Sequence, residues 1–179
     1  MAESSARWWR ELQAQVGRVY PRVYAWDAVN EAMIRHWCEA IGDENPLYTD
    51  ATFAATTALG APVAPPSMLR AWLLPGYGDR RPPGSAQVDA TAVRGLFAEG
   101  GFRSVIGVGG HEEYRRYLHP GERLSYSSLL ESISALKQTR QGPGYFYTIR
   151  MDVFNQCEEL VGLIRSTELA FQPSSPDAT

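Results

Sequence analysis

Apolar residues recur mostly at helical spacing in the first part of the chain and alternate at strand spacing from Phe102 onward. Trp8, Trp9 and Leu12 share one side of a helix expected over Ser5 to Val16. Val19, Tyr20, Val23, Tyr24 and Trp26 give Arg18 to Ala28 the β-branched and aromatic character of a strand, and Pro21 places it near a sheet edge. Asn30 supplies an N-cap and Glu31 an acidic first turn. Ile34, Trp37, Cys38 and Ile41 then form a helical stripe that Gly42 ends. Asp50 caps a further helix through Ala51 to Leu59, closed by Gly60. Pro65-Pro66 open a third, whose Met68, Leu69, Ala71, Trp72, Leu73 and Leu74 leave only Arg70 for water, so this helix must be enclosed. Pro75-Gly76 stop it early. The stretch from Gly76 to Ala92 has no periodicity, and a loop of that length is usually functional or disordered.

Strands are expected over Arg103 to Val108, Glu112 to Leu118, Glu122 to Thr139, Tyr145 to Asn155 and Leu160 to Phe171. His119-Pro120-Gly121 and Gln141-Gly142-Pro143-Gly144 suit the turns between them, and Tyr145, Tyr147, Ile149, Met151 and Val153 line one strand face. Helices early and strands late indicate an α+β domain with helices on one face of an antiparallel sheet. The domain is expected to span 1–171, with 172–179 a tail or linker remnant.

Composition changes this picture little but removes several classes of function. The chain has 179 residues, 44% of them hydrophobic, which suits one core. With 17 Lys and Arg scattered among 20 Asp and Glu, the net charge is −3 and no basic face forms, arguing against nucleic acid as the main partner. No apolar run reaches a membrane span and no h-region follows the N-terminus, so no membrane association and a cytoplasmic location are expected. Cys38 and Cys157 lack metal-ligand spacing and read as buried thiols in a reducing compartment. Neither a redox cofactor motif, a nucleotide loop nor a metal cluster stands out.

Four segments carry a resemblance. Gly42-Asp43-Glu44-Asn45-Pro46-Leu47-Tyr48-Thr49-Asp50, Phe53-Ala54-Ala55, Val63-Ala64-Pro65-Pro66 and Tyr117-Leu118-His119-Pro120-Gly121-Glu122-Arg123-Leu124 occur in the order found in the MaoC-like enoyl-CoA hydratases and dehydratases. The chain resembles that family over about Ala28 to Phe171. Val29 to Ala40, with Ala64 to Leu69, resembles more closely the MaoC-like domain of the large subunit of actinobacterial steroid side-chain enoyl-CoA hydratases. The resemblance implies a hot-dog fold, an antiparallel sheet wrapped around a central helix, and an acyl-CoA substrate with no cofactor beyond the CoA it carries. It also implies a second hot-dog subunit, in a heterodimer or heterotetramer.

Catalytic members of the family use a loop Asp and a His five positions later to activate water. Here Asp43 is retained, but Tyr48 stands at the His position. An imidazole of pKa about 6.5 accepts protons near neutrality, whereas a phenol at about 10 is almost wholly protonated there. The resemblance therefore implies no catalytic residue in this chain and a partner that supplies Asp and His. Candidate substrate-binding residues are Asp43, Asn45, Tyr48, Val63, Ala64, Pro65, Trp72, Phe97 and His111.

Each has a plainer reading. Asp43 suits an Asx-turn before Asn45-Pro46. Tyr48 either faces a tunnel or packs with its hydroxyl satisfied, and Trp72 and Phe97 have the habit of core residues. His36 and His119 read as surface positions, and Arg80-Arg81 as a solvated loop that could also meet CoA phosphates. Two further functions fit the same residues. One is an autonomous hydratase using His111 or Asp43. The other is a non-enzymatic acyl-CoA-binding or scaffolding protein. The early stop at Pro75-Gly76 implies a shortened central helix with room for a bulky acyl group.

Overall fold

A computed structural model describes the backbone of residues 2–174 and the side chains of residues 7–174. Helix α1 spans Ala2–Gln13 and strand β1 Val19–Tyr24; three helices follow, α2 at Glu31–Ile41, α3 at Pro46–Thr49 and α4 at Ala51–Ala55. After a run of short 3-10 turns, α5 covers Val93–Glu99. The chain then gives β2 at Ser104–Tyr114, β3 at Ser125–Ile133, β4 at Lys137–Thr139, β5 at Gly142–Phe154 and β6 at Leu160–Phe171. The sheet order is β1-β3-β5-β6-β2, every pairing antiparallel, with β4 hairpinned onto the start of β5.

Local chemistry sets the helix ends as the sequence indicates. Asn30 Oδ1 accepts from the Met33 amide at 2.9 Å, and Gly42, in the left-handed region, closes α2. Asp50 Oδ1 accepts from both Thr52 and Phe53 amides and starts α4, which is shorter than expected because Thr56 caps it early.

Two corrections concern the strands. Arg103 to Val108 and Glu112 to Leu118 are not separate: one strand runs through Gly109-Gly110, absorbing a register shift between Gly107 and Gly109. Glycines inside a strand mark an irregularity here rather than a turn. Conversely, the long strand expected over Glu122 to Thr139 divides into β3 and β4.

The largest correction concerns the third helix. Pro65 to Leu74 forms two 3-10 turns, Pro66–Met68 and Ala71–Leu73, not a continuous α-helix. Arg70 is not left to water either: its Nε donates to Glu112 Oε1 at 3.0 Å and its Nη1 to Ser166 Oγ at 3.2 Å, while Leu74 is the exposed residue. The helical layer inside the sheet is therefore split. Met68, Leu69, Trp72 and Leu73 cover one end with Ile34 and Cys38 of α2, against Leu124, Tyr126, Val153 and Ile164 of the sheet side. Val93 and Phe97 of α5 cover the other with Leu12 of α1, against Leu130, Tyr147 and Ile149. Gly162 of β6 permits the first contact, since a Cβ there would lie 2.6 Å from Leu69 Cδ2.

Residues Leu74 to Ala92 bridge the two halves. The stretch is ordered by Arg81, whose Nη2 meets Asp89 Oδ2 at 2.9 Å, so Arg81 is a buried-side anchor and not a solvated loop residue. At the other terminus, Gln172 and Ser174 amides donate to Pro143 and Gln141 carbonyls, which continues the β5 hairpin pairing into the segment read as a tail; 175–179 lie outside the described residues. Cys38 is buried, but Cys157 is exposed in the turn between β5 and β6, contrary to expectation.

Candidate functional site

The loop after α2 builds the site. Gly42 turns the chain and the Asp43 amide bonds back to the Cys38 carbonyl at 2.9 Å. Asp43 Oδ1 then accepts from the Asn45 amide at 3.1 Å, and Asn45 Oδ1 from the Leu47 amide at 3.1 Å. These consecutive Asx-turns aim Pro46 into the first turn of α3 and place Tyr48 on it. The Asx-turn reading of Asp43 is what the geometry displays.

Tyr48 is half-buried, packed on the core cluster of Met68, Trp72 and Cys38, and also lines a small cleft of about 150 Å³ with Glu31, Arg35 and Pro62. Burial raises the pKa of its phenol, and the nearby Tyr117 and Asp43 push it further up against an opposing hydrogen bond with Asn45. Burial likewise raises Cys38, with Asp43 adding to it. Both shifts favour the neutral form, so neither group is poised to take a proton near neutrality.

Val63, Ala64 and Pro65 are buried, and the Ala64 amide donates to the Leu118 carbonyl at 2.8 Å. This isolated bridge brings the Val-Ala-Pro segment to Tyr117-Leu118-His119, and through Tyr117 to Tyr48. Asp43, Asn45, Tyr48, Val63, Ala64 and Pro65 thus belong to one neighbourhood, and Trp72 joins it through the core cluster. Two candidates stand apart. Phe97 is wholly buried in the other cluster, its ring 4.7 Å from that of Tyr147. His111 is exposed on β2, its Nε2 3.6 Å from Glu113 Oε1.

The sequence anticipates room beside the early stop at Pro75-Gly76, where Leu74 and Pro75 do line a cavity, but not the polar wall of that cavity. A partly open cavity of about 430 Å³ is lined by Val23, Tyr126, Met151 and Ile164 from the sheet side together with Arg70, Leu73 and Pro75. Its wall holds Asp89, 4% exposed, which accepts from the Thr91 amide, Thr91 Oγ1, Tyr126 Oη and Arg81 Nη2. These donors outweigh the desolvation that would raise its pKa, and hold the carboxyl below its ordinary value. Burial and the Asp89 carboxylate raise that of Tyr126. The Asp89-Ala90-Thr91 spacing is an N-cap signal, but it lay unread inside an aperiodic stretch.

Relatives share this framework. Residues 14–163 match the family described as "FAS1-like, dehydratase domain region". A probable enoyl-CoA hydratase alpha subunit of Thermomonospora curvata is 39% identical over 172 residues, which cover 95% of this chain and 54% of that protein. The 3-oxo-4,17-pregnadiene-20-carboxyl-CoA hydratase alpha subunit of Mycobacterium tuberculosis is 37% identical over 170 residues, covering 92% and 52%. This chain therefore spans about half the length of those two curated relatives. Among solved structures, a chain of the ChsH1-ChsH2 complex from Mycobacterium tuberculosis superposes with a TM-score of 0.82 at 31% identity, covering 96% of this chain and 98% of that one. On the family match, these identities and the antiparallel sheet around its helical layer, the chain belongs to the FAS1-like, MaoC-like dehydratase family of the hot-dog fold.

Proposed function

We propose that this chain is the non-catalytic, substrate-shaping subunit of a heteromeric enoyl-CoA hydratase acting on a bulky, steroid-type acyl-CoA, with the catalytic Asp and His supplied by a partner hot-dog subunit. The observation that carries the reading is the half-buried phenol of Tyr48, its pKa raised, beside an Asp43 whose Oδ1 is held by the Asn45 amide. A missing general base costs on the order of 10² to 10⁴ in rate, and a coupled pair retains little once one member is gone. None of the chain's three histidines supplies the loss: His36 is exposed on α2, His111 lies on β2, and His119 sits in the turn after Leu118.

Two features support the rest. The division of the inner layer into 3-10 turns and α5 leaves the 430 Å³ cavity where an unbroken helix would fill the sheet, which suits a wide acyl group. Among the described residues strand β2 pairs only with β6, which leaves its other edge without a strand partner there, and Ile106, Val108 and Tyr114 are exposed along it. An open apolar edge calls for a cover, and a second hot-dog sheet supplies one. The relatives named as alpha subunits, one of a steroid-CoA hydratase, favour the same reading. CoA enters as part of the substrate, with no separate cofactor, and a cytoplasmic setting suits the two free thiols.

The test is hydration of enoyl-CoA by the purified chain, alone and co-purified with its hot-dog partner. Turnover confined to the complex is the expected result. Strong turnover by the lone chain refutes the proposal.

A further inference from the structure

The cavity of about 430 Å³ has a neighbour beside β1. A groove of about 760 Å³ lies between that strand and the segment Gly84 to Val88. Tyr24 lines both spaces, so the two adjoin at that residue. The loop Pro82 to Val88 contributes to both as well. Its base is closed by the Arg81–Asp89 ion pair at 2.9 Å, and Arg81, Pro82 and Asp89 line the cavity. Its tip, Gly84 to Val88, lines the groove.

Base and tip are held very differently. At the base, the Asp89 carboxylate accepts from Thr91, Tyr126 and Arg81, and the Ala90 amide donates to Ser128 Oγ at 3.0 Å, which pins this stem to the sheet. The tip is tied to β1 by two hydrogen bonds among the described residues. The Ala86 amide donates to the Arg22 carbonyl at 2.8 Å, and the Tyr24 amide donates to Ser85 Oγ at 3.1 Å. Arg81 Nη1 adds a third bond, to the Ala86 carbonyl at 2.9 Å. Apolar packing adds little, since Gly84, Gln87 and Val88 are exposed and Ala86 is only partly buried against the core. Each of these bonds is exchanged for one to water when the tip lifts, and no large apolar side chain leaves the core. Gly84 supplies the pivot: it sits at φ +82, and a Cβ there would meet only the edge of the Tyr24 ring, at 3.9 Å.

We propose that Gly84 to Val88 is a flap that lifts from β1 while the Arg81–Asp89 base stays shut, joining the groove to the cavity as a side door. Lifting releases Arg22 and Tyr24 and uncovers the residue between them, Val23, which is 5% exposed and lines the cavity. An opening held by few apolar contacts belongs to the low end of a protein's range of local stabilities and exposes little surface, which sets it apart from global unfolding. Its position gives it a use. Strands β1 and β2 are the opposite edges of the sheet, so a partner that covers β2 leaves the flap free. A ligand then enters or leaves the cavity without parting the subunits. The flap itself does not depend on which ligand the cavity takes or on where the catalytic base resides.

The test is thiol labelling of the purified chain with methyl methanethiosulfonate, in a Cys157→Ser background and read by peptide mass. Val23→Cys reports on the door. Val153→Cys, at a position 0% exposed and outside the cavity lining, reports on global unfolding. Addition of about 1 M urea should change the Val23→Cys rate by less than about twofold and raise the Val153→Cys rate on the order of tenfold or more, in keeping with the surface each opening exposes. Ser85→Ala removes the hydroxyl that holds the Tyr24 amide and should speed labelling of Val23→Cys about tenfold, the worth of one hydrogen bond. A Val23→Cys rate that follows Val153→Cys in urea, or one untouched by Ser85→Ala, overturns the proposal. Amide exchange of the unaltered chain, followed by NMR, needs no reporter thiol. The Ala86 and Tyr24 amides should exchange together and with the same indifference to urea, and exchange no faster than the amides of the central strands contradicts the flap. Hydration activity enters none of these readouts, so a flap that fails leaves the proposed function standing.

Discussion

Asp89→Asn tests whether the cavity wall is held by a buried charge network. The carboxylate is 4% exposed and accepts four hydrogen bonds, two at Oδ1 from Thr91 and two at Oδ2 from Tyr126 and Arg81. An amide in its place can keep Oδ1 on Thr91, and Tyr126 can rotate its hydroxyl to accept. Arg81 Nη2, however, then faces an N–H donor, and its side chain is only 15% exposed. Breaking a buried pair from one side typically costs about 3–5 kcal/mol. Because Asp89's own burial penalty is relieved, a loss near the lower end, about 3 kcal/mol, is expected. With a urea m-value of about 2 kcal/mol/M, the midpoint falls by about 1.5 M. The sign with pH follows from the depressed carboxyl pKa. Its contribution is fully present above the unfolded value of about 3.9 and is lost as pH falls through the folded value. The difference between wild type and Asp89→Asn should therefore shrink between pH 7 and pH 3. A midpoint shift under about 0.5 M, or one of the same size at both pH values, refutes the network.

Other substitutions probe other parts. Gly100→Ala drives a Cβ into the Trp8 indole, which stacks on Phe102, so the indole is expected to be displaced from its site. A loss of about 1–3 kcal/mol with a red-shifted tryptophan emission is expected; unchanged emission would show that the helix shifts instead. Alkylation of the native chain should label Cys157 and spare Cys38, with two adducts only after denaturation, read by intact mass. In the complex, Tyr48→Phe should cost less than tenfold in kcat and leave the shape of the pH–rate profile between pH 6 and 8 unchanged, since a true base would cost about 10² or more.

Much of this architecture was legible because local chemistry and global fold agree. Asn30, Gly42 and Asp50 act at helix ends as their side chains and backbone freedom require, and the alternation in β5 puts Tyr147, Ile149 and Val153 on the buried face. The failures share a cause. In Pro65 to Leu74 the apolar pattern records only that the segment is enclosed, and enclosure serves a 3-10 run as well as an α-helix. Gly109-Gly110 read as a break because glycine permits turns, yet here pairing with β6 carries the strand straight through. Within the site, the loop from Asp43 to Tyr48 was visible as turn chemistry next to a helix. The Arg81–Asp89–Tyr126 network was not, since its members meet only through tertiary packing across a stretch without periodicity.

The central claim is that the water-activating base is not in this chain. It is met most directly by single-turnover hydration of a fused-ring enoyl-CoA under three conditions: the chain alone, the partner alone, and the two together. Product should form at a rate at least about 10²-fold greater in the mixture than with this chain alone. Equal rates from the isolated chain and the mixture would contradict the account.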